Sequence, residues 1–250
     1  MELAFNDVII LLICGVIAGF INTVAGGGSL LTLPILIFMG LPSNIANGTN
    51  RIAIFMQNIF SISGYKSRGV SDFKYSSWLS VSALIGSIIG AKIAINIDED
   101  MFNKILSVVI IIVVLTIIYN KKPFNINSEN ISIEKKIISV IMFFFIGIYG
   151  GFIHAGVGFL MILVLCGING FSIIKANSIK VFVALFFTLF ALFIFILESK
   201  INLMYGINLA IGSSLGGWLT SRWSFNKSET YMRYILCAII FFLAIRLWLF

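Results

Sequence analysis

The sequence predicts an all-α integral membrane protein: a polytopic bundle of eight long helices plus two short, broken or re-entrant ones, in two internal repeats arranged as an inverted 5+5. Three observations predict it. The 250 residues are 60% hydrophobic and 11% charged, against about 25% charged in an ordinary soluble domain, and their mean hydropathy is +1.08. Apolar runs close to the roughly 20 residues needed to cross a hydrocarbon core recur from end to end. The two halves also repeat each other in order.

The first long run is Phe5–Val24. Its leading stretch, MELAFNDVII, carries Glu2 and Asp7 and no basic residue, so the first span is expected to be retained rather than cleaved as a signal peptide. AGGGSLLTLP follows at Ala25–Pro34 and opens the short apolar piece Ser29–Met39. Three glycines and a proline interrupt a membrane helix, and they predict a break. Further long runs cover Ile52–Tyr65, Trp78–Ile97 and Met101–Tyr119. The polar stretch KKPFNINSENISIEKK, Lys121–Lys136, then separates a first unit (1–120) from a second (137–250). The second unit runs through Ile137–Ile153, the short piece Phe159–Ile168, Val181–Leu197, Leu203–Thr220 and Tyr231–Phe250.

The repeat is read from matched segments. GVIAGFIN (Gly15–Asn22) matches GIYGGFIH (Gly147–His154), and Gly26 matches Gly158 in the same register. After a two-residue gap Gly40 matches Gly170, and ANGTNR (Ala46–Arg51) matches ANSIKV (Ala176–Val181). IGSIIGA (Ile85–Ala91) then matches IGSSLGG (Ile211–Gly217). If both short pieces cross the membrane there are ten spans with the N-terminus outside. Lys66, Arg68, Lys74, Lys121, Lys122, Lys135, Lys136, Lys175, Lys180, Arg222 and Lys227 then lie in cytoplasmic loops. Arg51, Lys104 and Lys200 remain opposite, beside Asp98, Glu99 and Asp100. This satisfies the positive-inside rule better than eight spans with re-entrant short pieces.

Several function classes are excluded or disfavoured. The net charge of +7 is spread over loops, which suits bilayer orientation and not nucleic-acid binding. Cys14, Cys166 and Cys237 are far apart in apolar segments and read as small buried hydrophobes. No Walker A motif, HExxH, GxSxG or paired intramembrane aspartates occur, so no cofactor and no metal are expected. Acidic residues keep to the loops, which disfavours a metal-cation carrier.

Two constellations carry candidate chemistry. A helix broken at the membrane midplane leaves N–H groups that favour an anion. Gly26, Gly27 and Gly28 allow close backbone approach, and Ser29 and Thr32 add hydroxyls. The small-xxx-small pairs Gly15/Gly19, Gly147/Gly151, Gly86/Gly90 and Gly212/Gly216 read instead as helix-packing surfaces. The second constellation is ANGTNR, with Asn47, Thr49, Asn50 and Arg51, and its counterpart with Asn177 and Lys180. A cation beside a span is a functional candidate, or else it snorkels to head groups. An Arg and a Lys converging on one place would suit a small oxyanion. His154, the only histidine, matches Asn22 and is either a proton relay or a hydrogen-bonding link between helices. Gln57 and Asn58 either line a cavity or join helices.

GFINTVAGGGSLLTLPIL followed by MGLPSNIANGTNR resembles the first-repeat signature of the TauE/SafE family of sulfite and organosulfonate exporters. GIYGGFIHAGVGF, KANSIKVF and INLMYGINLAIGSSLGGWLTSR continue the resemblance through the second half. It implies a permease for small sulfur-containing anions that needs no ATP, in a bacterial-type inner membrane. The family's glycine turn lands on Gly26–Gly28, its T-N-R element on Thr49, Asn50 and Arg51, and its second-repeat lysine on Lys180. The second half departs from the pattern: it lacks the triple glycine, and Cys166 stands near the place of Pro34. The expected function is secondary export by alternating access, driven by a proton gradient or the membrane potential. The alternatives are a non-transporting membrane subunit that organises a partner and an intramembrane enzyme relying on His154.

Overall fold

A computed structural model describes residues 4–70, 72–106, 108 and 131–224. The predicted span Tyr231–Phe250, most of Met101–Tyr119 and most of the polar stretch lie outside the described residues.

Helix α1 is Phe5–Ala25 and α2 is Ser29–Phe38. Gly26 separates them in the left-handed conformation (φ 78°), its N–H bonded to the carbonyls of Ile21 and Asn22. A side chain is strained in that conformation, so the first glycine is what ends α1. Helix α2 has ten residues and contains Pro34; at 1.5 Å per residue it covers about half of the hydrocarbon thickness. Helices α3 (Ser43–Lys66) and α4 (Phe73–Asn96) follow, and residues 99–106 form the described part of α5.

The second half begins with α6, Ile133–Phe152, which starts inside the polar stretch because Ser132 accepts from the N–H of Lys135. Helix α7, Val157–Ile162, continues as a π-helical turn, Leu163–Ile168. Where α2 is interrupted by a proline, α7 is interrupted by this wider turn, which contains Cys166. Helices α8 (Ile173–Leu197) and α9 (Leu203–Ser224) complete the described chain.

Helices α3 and α8 start earlier than the apolar runs at Ile52 and Val181 suggest. Hydropathy reads Asn47–Arg51 and Asn177–Lys180 as loop, yet both lie inside helices. N-terminal signals mark the true starts: Pro42 precedes α3, and Ser172 caps α8 by accepting from the N–H of Lys175. Arg51 and Lys180 are therefore not loop charges but buried ones, 0% and 2% exposed.

The helices pack in crossed pairs. Helix α1 lies against α9, and α4 lies against α6. Gly15 and Gly19 meet the α9 backbone, while Gly212 and Gly216 meet that of α1; a methyl on Gly15 would sit 2.6 Å from the Leu209 carbonyl oxygen. Gly86 and Gly90 meet Gly147 and Gly151's helix in the same way. These small-xxx-small pairs are packing surfaces. One core gathers Leu30, Leu33 and Leu36 of α2 with Phe102, Tyr205 and Leu209. The other gathers Val157, Met161 and Ile162 of α7 with Leu79, Phe143 and Phe187. Outward faces carry exposed Ile13, Trp78, Ile141 and Phe193, as bilayer contact requires. Helices α1, α4, α6 and α8 are long and apolar enough to cross a membrane.

Candidate functional site

The two breaks meet. Gly26, at the end of α1, touches Gly158 in α7: a methyl on Gly158 would lie 2.5 Å from Gly26 Cα. Residues matched in the repeat are thus in contact with each other.

A helix leaves its last four carbonyls without intrahelical donors, and burying them in lipid is costly. Here the ends of α1 and α6 are capped from across the molecule. Lys180 Nζ donates to the carbonyls of Asn22 (2.7 Å) and Thr23 (3.0 Å) and to Asn177 Oδ1 (2.7 Å). Asn177 Nδ2 donates to the Val24 carbonyl at 3.2 Å. Arg51 does the same for α6, donating to the carbonyls of Gly150 (3.0 Å), Gly151 (2.6 Å) and Phe152 (3.4 Å). Asn47 accepts from Arg51 at 3.5 Å and donates to the Phe152 carbonyl at 2.8 Å. The guanidinium also lies over the ring of Phe195, 4.8 Å from its centroid. A cation at a helix C-terminus is favoured by the helix dipole as well as by these bonds. The two cations donate to backbone and asparagine oxygens, and neither lines the cavity beside α2.

The donor-rich place is beside α2. Asn22, Gly28, Ser29, Thr32, Asn50, Gln57 and Ser213 surround a cavity of about 10 Å³, room for about one water. Thr32 Oγ1 donates to Asn50 Oδ1 at 2.7 Å, tying α2 to α3. Asn22 Nδ2 donates to Gln57 Oε1 at 2.5 Å, and Gln57 Nε2 donates to Thr23 Oγ1 at 3.0 Å, tying α1 to α3. Ser29 Oγ and Asn50 Nδ2 are buried with no hydrogen-bond partner. The first amides of α2 are largely spent, since the N–H groups of Leu30 and Leu31 donate to the carbonyls of Gly27 and Gly28 at 3.0 Å each, so the side chains supply the free donors.

The structure thus brings Asn22, Gly28, Ser29, Thr32 and Asn50 together. Gly26 lies at the crossing instead, and Gly27 accepts from the N–H of Leu30. Thr49 is elsewhere: its Oγ1 accepts from the N–H of Asn202 at the start of α9 (2.8 Å). His154 is buried, neither ring nitrogen has a partner, and the ring stacks on Phe187. Lys175 pairs with Asp72 at 3.1 Å at the half-exposed rim. Gln57, left undecided by sequence, lines the cavity. Ser213 was missed, because IGSSLGG reads only as a packing surface. No group of His, Cys, Asp and Glu that could hold a metal occurs among the described residues.

Long apolar helices around a polar, glycine-broken centre define a polytopic membrane protein. The chain belongs to the sulfite exporter TauE/SafE family, whose model matches residues 11–247. It is 25% identical over 248 residues to the probable membrane transporter protein ORF9 of a Sinorhizobium species, covering 98% of this chain and 94% of that one. It is 28% identical over 239 residues to a probable membrane transporter protein of Haemophilus influenzae, covering 93% and 91%. With the probable membrane transporter protein YfcA of Escherichia coli K12 it shares 25% over 224 residues, covering 90% and 83%. No solved structure matches it. The chain is a multi-pass membrane transporter of bacterial type, not an enzyme.

Proposed function

We propose that this transporter exports a small sulfur-containing anion, sulfite or an organosulfonate, by secondary alternating access. One observation carries the anionic choice. The buried described residues include two cationic side chains, Arg51 and Lys180, and no carboxylate. A low-dielectric interior with that imbalance favours an anion as the missing charge. The cavity beside α2 agrees with it, since its two unpartnered side-chain atoms, Ser29 Oγ and Asn50 Nδ2, can both donate. The sulfur-containing class rests on the family's description.

The alternating-access reading rests on the duplicated units 1–120 and 137–250 joined by 121–136. The crossed pairing supports it. Exchange of the halves carries α1·α9 into α6·α4, the Arg51 cap into the Lys180 cap, and Gly26 into Gly158. The site would then face each side in turn as the packed units rock about that crossing.

The test is flux of labelled sulfite, sulfoacetate and a simple sulfonate from proteoliposomes holding the purified full-length chain. Wild type releases at least one of these anions faster than empty liposomes, and Asn50→Asp does not. Equal leakage from all three preparations across every anion overturns the proposal.

A further inference from the structure

Arg51 and Lys180 cap equivalent helix ends, although Lys180 matches Asn50 in the repeat, and the two cations differ chemically. A guanidinium stays charged in proteins, whereas an ammonium on a flexible stem can give up a proton. Lys180 spends all three N–H groups: on the carbonyls of Asn22 and Thr23 and on Asn177 Oδ1. A neutral amine has two N–H groups for those three acceptors, so its loss of a proton loosens the tie between α8 and the end of α1. That end is also the anion site. Asn22 offers its carbonyl to Lys180 and its side chain to the cavity. The Lys180 stem meanwhile passes the crossing, its Cδ 3.0 Å from where a methyl on Gly158 would stand.

The groups facing Lys180 leave it the carrier. His154, from the α6–α7 turn, lies within electrostatic reach of both Lys180 and Arg51, and Cys166 of the π turn lies within reach of Lys180. Asn22 and Thr23 of α1 and Asn177 of α8 contribute neutral oxygens. No buried carboxylate occurs among the described residues to hold the ammonium charged when the cavity is empty. A bound anion does so.

We infer that Lys180 is the proton-carrying group of the transport cycle, so that one proton crosses with each anion. The inference rests on the anion-transport reading above and selects the proton over the membrane potential as the coupled quantity. In the loaded state the ammonium and a monoanion form a neutral pair. When the anion leaves, the ammonium becomes an amine and its proton passes to water on the same side. The empty carrier returns with the neutral amine and takes a new proton with the next anion. A monoanion therefore moves electroneutrally, and it is exported only while its outward gradient exceeds the inward proton gradient.

The experiment uses full-length protein in proteoliposomes with a pH-sensitive dye inside and the membrane potential clamped by potassium and an ionophore. The probe is labelled methanesulfonate, a monoanion without a titratable proton of its own. Wild type is expected to move about one proton per sulfonate, at a rate unchanged by the clamped potential. Lys180→Arg is expected still to exchange labelled for unlabelled sulfonate while net flux falls at least about tenfold, a barrier increase of about 1.4 kcal/mol. His154→Gln is expected to keep the proton stoichiometry. Sulfonate flux without proton movement, flux that follows the potential, wild-type coupling in Lys180→Arg, loss of exchange in that variant, or loss of coupling in His154→Gln each overturns this inference alone. No flux of any tested anion overturns the transport reading, and this inference with it.

Discussion

The imidazole of His154 stacks on the ring of Phe187, with centroids 5.3 Å apart and planes 20° from parallel. In the first half the matching positions are Asn22 and Gln57, joined by a side-chain hydrogen bond. One break is thus lined by amides and the other by rings. His154→Phe keeps the stack and removes two buried ring nitrogens that have no partner. Relief of an unsatisfied buried polar group is worth about 1–3 kcal/mol, so the variant is expected to unfold at the same temperature as wild type or higher. A marked fall in thermal stability in detergent would show that His154 has a polar partner the packing does not reveal.

Ser29 and Asn50 carry the donors left over at the cavity. Ser29→Ala should leave stability unchanged or raise it by about 1 kcal/mol, since no bond is lost. The same change should weaken anion affinity by roughly tenfold, the worth of one hydrogen bond to a charged ligand. Parallel thermal unfolding and concentration-dependent flux measure the two effects. A variant that loses stability and keeps affinity contradicts the site.

Glycine position decides cost. Gly26 combines φ 78° with the backbone of Phe159, whose N would be 2.5 Å from an added methyl. Gly40 has φ 90° and open space around it. Gly40→Ala should therefore cost only the left-handed strain, about 1–2 kcal/mol. Gly26→Ala adds displacement of the crossing and should abolish folded protein in detergent extracts. Equal yields and melting temperatures would mean that the breaks do not touch.

Arg51 supports α6 more than it serves the cavity. Arg51→Gln strands buried carbonyls at Gly150, Gly151 and Phe152, and should cost on the order of 3–5 kcal/mol. Arg51→Lys keeps the charge but not the fork and should fall between. Flux per folded molecule, measured beside thermal unfolding, separates support from binding. Loss of flux at full stability would return Arg51 to the substrate.

Much of the architecture was legible because it is written in local pattern. The glycine break at Gly26, the cap at Ser172 and the paired small-residue ridges each follow from a few neighbouring residues. Helix starts were misplaced at α3 and α8 for one reason. Hydropathy treats Asn47, Arg51, Asn177 and Lys180 as solvent-seeking, although their solvent here is the carbonyl end of a distant helix.

By itself the sequence determined that the chain lives in a bilayer, that α1 breaks at Gly26, and that its family is recognisable. Those properties reside in composition, in glycine's freedom and in ordered motifs. Only the tertiary structure decided how the polar groups are spent. Arg51 reaches carbonyls 99–101 residues away and Lys180 reaches carbonyls 157 and 158 residues away, so both cations find backbone acceptors across the molecule. Ser29 and Asn50 keep donors that packing leaves unused. No local pattern records which hydrogen bonds a fold will complete, because the acceptor is set by which helix ends the chain brings together.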